Sequence, residues 1–124
     1  MWADMVEAAK TSNYSSPRLT AHAAGQALQL LYGGLRSASQ DGIVTVGKPT
    51  FSPQVTAVTP TANPVAVTIV DCMDSSQWRE FVASTGKPKD DQPGGKHRST
   101  ATVGLLQSTW KVTQLHVEGV GTCS

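Results

Sequence analysis

With 124 residues, 39% hydrophobic and 15% charged, the chain has the length and composition of one globular domain large enough to bury a core. A net charge of +1 lacks the strongly basic footprint of a nucleic-acid binder, so no nucleic-acid partner is expected. No apolar run approaches the roughly 18–20 residues that a transmembrane helix needs.

The chain opens on Met1-Trp2 already inside an amphipathic pattern and reads as a trimmed, mature domain with Met1 as an added start. Trp2, Met5, Val6 and Ala9 form the i, i+3, i+4, i+7 stripe of a helix over residues 2–10. Asp4 and Glu7 lie off that stripe and are expected to be solvated. Ser16-Pro17 is a start signal for a second helical stretch. Leu19, Ala23, Ala27, Leu30, Leu31 and Leu35 carry its apolar stripe. Gly25 divides it into a short helix over 17–24 and a longer one over 26–38, and Asp41-Gly42 closes the helical half. Gly33-Gly34 marks a kink or a close packing point.

From Ile43 onward Val and Thr replace Ala and Leu, and the apolar period moves from 3.6 towards 2. Strands are expected at 43–46 and 55–59; Pro49 and Pro53 between them argue for an edge or bulged strand. After the turn cluster 59–64, Val65, Val67 and Ile69 alternate into Cys72 as the clearest strand. Residues 78–83 read as a short helix or a strand, with the turn that follows at Thr85-Gly86-Lys87-Pro88 favouring strand, and 89–95 as an exposed loop. Residues 100–106 and 110–117 form a hairpin joined by Gln107-Ser108-Thr109. Trp110 and Val112 share one face, but Leu115 and Val117 fall on the other by strict alternation. That phase change implies a bulge or a strand buried on both sides, as in a strongly curved sheet wrapped around helices. Helices first and an antiparallel meander after make an α+β layout.

The two cysteines, Cys72 and Cys123, have neither metal nor redox spacing. Two buried free thiols and a disulfide both remain open from the residues alone, although each cysteine falls at the far end of an expected strand. A bridge closing about 50 residues would stabilise by roughly 3–4 kcal/mol. Three isolated histidines make no metal site. No serine nucleophile elbow, phosphate-cradling glycine loop or helical zinc motif is present, and neither metal nor cofactor is expected.

The chain resembles the nuclear transport factor 2-like (cystatin-like) superfamily. The residues that carry the likeness are two or three N-terminal helices followed by long bent strands, the last of them Ser108-Thr109-Trp110-Lys111-Val112-Thr113-Gln114-Leu115-His116-Val117. More narrowly it is similar to secreted or lipid-anchored actinobacterial proteins of that fold. The shared stretches are Ser16-Pro17-Arg18-Leu19, Asp71-Cys72, Pro93-Gly94-Gly95-Lys96-His97 and Gly121-Thr122-Cys123. The resemblance implies a single domain over 1–124, with helices over about 2–38 and a cystatin-like roll with a cone-shaped interior over about 43–123. It also implies a Cys72–Cys123 disulfide and an extracytoplasmic home in the cell envelope or outside the cell. It implies no particular activity.

Candidate site residues follow from the strand and helix faces. Asp71 shares the face of Val65, Val67 and Ile69 and is expected at the mouth of an apolar pocket, where a carboxylate suits a general base. A strand-end cap is its other role. His22 reads as a packing or hydrogen-bonding residue on the helical stripe, and His97 as a solvated one. His116 belongs, by alternation, to the face of Trp110 and Val112. Tyr14, Tyr32, Trp78 and Trp110 each combine an apolar body with a polar handle and are candidates to line a cavity or interface. The leading expectation is a non-catalytic domain that binds a small apolar ligand or a protein partner in the envelope, the latter including a homodimer through the sheet face. The alternative is an isomerase, dehydratase or cyclase with Asp71 as base and a tyrosine or histidine across the cone.

Overall fold

The computed structural model describes residues 1–92 and 94–124. Three helices come first: α1 (Trp2–Ala9), α2 (Leu19–His22) and α3 (Gly25–Gln40). Six strands follow: β1 (Ile43–Gly47), β2 (Gln54–Thr59), β3 (Ala66–Asp74), β4 (Trp78–Val82), β5 (Lys96–Leu106) and β6 (Thr109–Val117). The α+β class stands. Among the described residues no helix is long and apolar enough to cross a membrane.

The strands do not form one meander. β2-β3-β5-β6 make a four-stranded antiparallel sheet, while β1 pairs with β4 as a separate two-stranded ribbon. Sequence adjacency cannot reveal that pairing, because 30 residues that include β2 and β3 lie between the two strands of the ribbon. An antiparallel bridge joins Thr50, in the segment after β1, to Asp74 at the end of β3.

The second helix is shorter than the periodicity implies. Only residues 19–22 of the expected 17–24 helix are helical, because Ala23 turns extended (φ −134°, ψ 147°) and bridges Val112 in parallel. Ala24 N–H then donates to the Val112 carbonyl at 2.9 Å. Gly25 adopts φ +56°, which other residues rarely tolerate, and a Cβ there would stand 3.3 Å from the Thr113 carbonyl. α3 therefore begins hard against the β6 edge.

That edge is closed by a side chain. The Gln26 amide donates from Nε2 to the Leu115 carbonyl at 3.0 Å and accepts from Leu115 N–H at Oε1 at 2.7 Å, as a neighbouring strand would. The bulge implied by the phase change is present: Thr102 opposes Gln114 and Val103 opposes Val112, leaving Thr113 as the extra residue. It rotates Val112 and Leu115 onto one face, the helix side. There Leu115 joins Ala8, Ala9, Leu19, Ala23, Ala27, Leu31 and Leu35 in the core. Four alanines in that set allow close approach of helix to sheet. Leu30, expected on the stripe, is 43% exposed.

Cys72 and Cys123 are bonded, with Cα atoms 5.9 Å apart. After β6 the chain runs back along β5, with Glu118 N–H on the Arg98 carbonyl and Gly121 N–H on the Lys96 carbonyl, both at 2.9 Å. The bridge ties that return segment to β3. The hairpin loop is shorter than expected: Leu106 opposes Thr109, so Gln107 and Ser108 alone turn the chain, both at positive φ. Of the loop expected over 89–95, Pro93 lies outside the described residues.

Candidate functional site

On the helix side of the sheet, β3 and β5 present Val67, Ile69 and Asp71 opposite Val103, Ala101 and Ser99. These residues, except Val67, wall a cavity of about 300 Å³ together with Val112, Met1, Trp2, Phe51 and Pro53. α1 supplies the Trp2 roof, and the Trp2 and Phe51 rings pack at 6.1 Å between centroids. The 51–53 segment is held across the mouth by Asp71, whose Oδ1 accepts the Ser52 N–H at 2.7 Å. Among the described residues its Oδ2 has no hydrogen-bond partner. Asp71 is therefore a clamp on the mouth and, among the described residues that line the cavity, the one charged side chain. Among the described residues, none of those lining the cavity is the tyrosine or histidine that a base-catalysed isomerase would use to hold developing negative charge.

The other expected candidates are dispersed. Tyr14 and Tyr32 meet edge-to-face at 5.6 Å and line a separate groove of about 400 Å³ with Pro17, Leu19 and Leu28. Trp110 sits at the hairpin end opposite Leu105, and both are exposed. His116 is not on the face of Val112. The bulge places it opposite Thr100 on the outer face, beside Thr102 and Gln114.

His22 is largely exposed, but its Nδ1 lies 2.7 Å from Asp4 Oδ2. Asp4 is not solvated as expected; it is buried, with Arg18 Nε at 3.4 Å from Oδ1 and the amino terminus at 3.6 Å from Oδ2. Burial alone would raise the pKa of its carboxyl. The His22 hydrogen bond, the positive amino terminus and Arg18 outweigh that and hold it below the ordinary value.

Sequence reasoning missed Ser75 and His97. His97 is half-buried rather than solvated, on the same helix-side face as Ser99 and Ala101. Its Nε2 lies 2.7 Å from Ser75 Oγ and its Nδ1 lies 3.0 Å from the Glu118 carbonyl oxygen. Trp78, beside this pair, meets Trp2 edge-on at 6.1 Å, so Trp2 stands between the Asp71 cavity and the Ser75–His97 pair. The only local sign of the pair is Gly94-Gly95 next to His97. Twenty-two residues separate the two side chains. Among the described residues no three His, Cys, Asp or Glu side chains could hold a metal ion.

This architecture, short N-terminal helices on an antiparallel sheet, is that of the cystatin-like fold. No protein-family profile and no curated protein matches the chain. Solved structures do match it. One is a protein of unknown function with a cystatin-like fold from Nostoc punctiforme, 10% identical with a TM-score of 0.53, covering 97% of this chain and 86% of that one. A nuclear transport factor 2-like protein of unknown function from Shewanella oneidensis is 12% identical with a TM-score of 0.48, covering 93% and 90%. The intermembrane-space region of the chloroplast protein ARC6 is 17% identical with a TM-score of 0.47, covering 94% of each chain. At 10% identity the likeness to the Nostoc structure shows the fold alone.

Proposed function

We propose that this chain is an extracytoplasmic binding domain. Its cone holds a small apolar molecule that carries one hydrogen-bond donor or positive charge towards Asp71. The observation that carries this reading is the cavity of about 300 Å³, apolar on its walls and served by one carboxylate with a free oxygen. That volume lies at the small end of ligand pockets, and its few polar groups converge as such sites do. The Cys72–Cys123 bond supports an oxidising compartment. Secretion or lipid anchoring in an actinobacterial envelope is the finer form of that proposal.

A protein partner in the envelope, or a second copy of the chain, is the companion reading. Its support is the exposed apolar end of the hairpin, where Leu105, Leu106 and Trp110 adjoin Val65. The outer sheet face offers less, because Thr68, Thr100, Thr102 and Gln114 make it polar. Sedimentation velocity on the native chain and on Trp110→Lys separates the two: self-association lost in the variant supports a dimer, and a monomer in both removes it.

The ligand reading is tested by titrating 1-naphthylmethylamine and 1-methylnaphthalene against the fluorescence of the tryptophans. The amine is expected to bind at least tenfold more tightly, Asp71→Asn to abolish the difference, and Val103→Phe to weaken both. Equal binding of the two probes, unchanged in Val103→Phe, would contradict it.

A further inference from the structure

Beyond the Asp71 cavity, the end of β3 carries a second arrangement with chemical content. Glu118 O can only accept, so His97 Nδ1 holds the ring proton and Nε2 is bare. Ser75 Oγ, 2.7 Å from Nε2, therefore donates its proton to the imidazole rather than to the Gly95 carbonyl at 3.4 Å. The serine is fixed from both sides: its N–H donates to the Gly95 carbonyl at 2.9 Å, and Gly95 N–H donates to its Oγ at 3.3 Å. The loop backbone passes so close that a Cβ at Gly94 would stand 2.5 Å from Ser75 Oγ. Nucleophile, base and base-orienting acceptor are thus in place.

Two cavities meet at this pair, and both include Trp78 and Glu80. One, of about 290 Å³, is apolar at Met5, Ala9, Leu35 and Met73. The other, of about 240 Å³, is polar at Arg79, Asp90 and Gln92. Trp78 Nε1 is the buried side-chain donor that lacks a partner among the described residues.

We propose that Ser75 is an activated nucleophile that accepts the acyl group of small carboxylic esters, with His97 as general base. The acyl chain occupies the apolar cavity and the alcohol the polar one. Ser75 Oγ attacks the ester carbonyl carbon while its proton passes to His97 Nε2. The tetrahedral intermediate breaks its bond to the alkoxy oxygen, which takes that proton and leaves as the alcohol. Water then attacks acyl-Ser75, gives a proton to Nε2, and collapse returns it to Ser75 Oγ as the carboxylic acid departs. Ester and water become acid and alcohol, with no oxidant or cofactor. A neutral backbone carbonyl stabilises the imidazolium less than a carboxylate would, so turnover is slow.

The test uses p-nitrophenyl butyrate and a fluorophosphonate on the whole oxidised chain, reading nitrophenolate release, intact mass and the labelled peptide. Stoichiometric labelling at Ser75 is expected, with hydrolysis falling at least tenfold in Ser75→Ala and in His97→Gln. Thermal unfolding of each variant reports whether it folds; if His97→Gln does not, Ser75→Ala and the site of labelling in the native chain decide. Labelling elsewhere, hydrolysis undiminished in Ser75→Ala, or no reaction above buffer would each overturn the proposal. Because Asp71→Asn leaves this pair untouched, failure here is separable from failure of the ligand reading.

Discussion

Gln26 shows how one side chain can replace a strand. Leu115 is buried, and both its N–H and its C=O point away from β5 to the Gln26 amide. Gln26→Ala leaves both groups without a protein partner, and losing satisfaction of a buried backbone pair costs about 1–3 kcal/mol. Urea unfolding should show that loss, with Gln26→Glu intermediate because it retains only the acceptor. Asp4 makes the second residue-scale prediction. Its carboxyl is held below the ordinary value of 3.8, so its stabilisation is complete above that value and fades as pH falls through the lower folded-state value. Between about pH 5 and pH 2 the native chain should lose more stability to this group than Asp4→Asn, which has no such proton to take up. Parallel urea titrations across that range check it; identical slopes would contradict the assigned role.

At the scale of elements, the period of the apolar residues located α1, α3 and most of the strands, since burial of one face dictates that period. The phase change after Val112 left a bulge and a strand buried on both sides equally open; the structure has the bulge, with Thr113 as the extra residue. What stayed hidden is long-range: β1 choosing β4, Ala23 leaving its helix to pair with Val112, and Ser75 meeting His97. Each depends on which backbone groups meet across the fold, and nothing local records that. Asp4 shows the same limit, since a charge off the apolar stripe became buried once Arg18 and His22 closed over it. The element with the largest predicted effect is the return segment after β6. Its bond to β3 closes a separation of 51 residues, and reduction or Cys123→Ser should cost about 3–4 kcal/mol in the chain-entropy account. Denaturant midpoints with and without reductant measure it. A chain equally stable when reduced would remove the bridge as a support for the fold.

As a whole molecule, the chain uses a small alanine- and leucine-rich core at the helix–β6 contact and leaves the rest of the helix-side face incompletely filled. A sheet packed to interior density would hold no void of that size. The Asp71 cavity lies between β3, β5 and the Trp2–Phe51 aromatics, where Trp2 is the one helical side chain among the described lining residues. That distribution separates the part of the fold that supplies stability from the part available to a ligand. It also explains why the site was only half legible. Asp71 could be placed by alternation, whereas its roof comes from Trp2 and Phe51, far away in the chain.

The most direct measurement is a methyl NMR titration of the native chain with benzylamine. The account predicts shifts concentrated at Ile69, Ala101, Val103 and Val112, much reduced in Asp71→Asn. Shifts confined to the Tyr14–Tyr32 groove, or none at millimolar ligand, would contradict it.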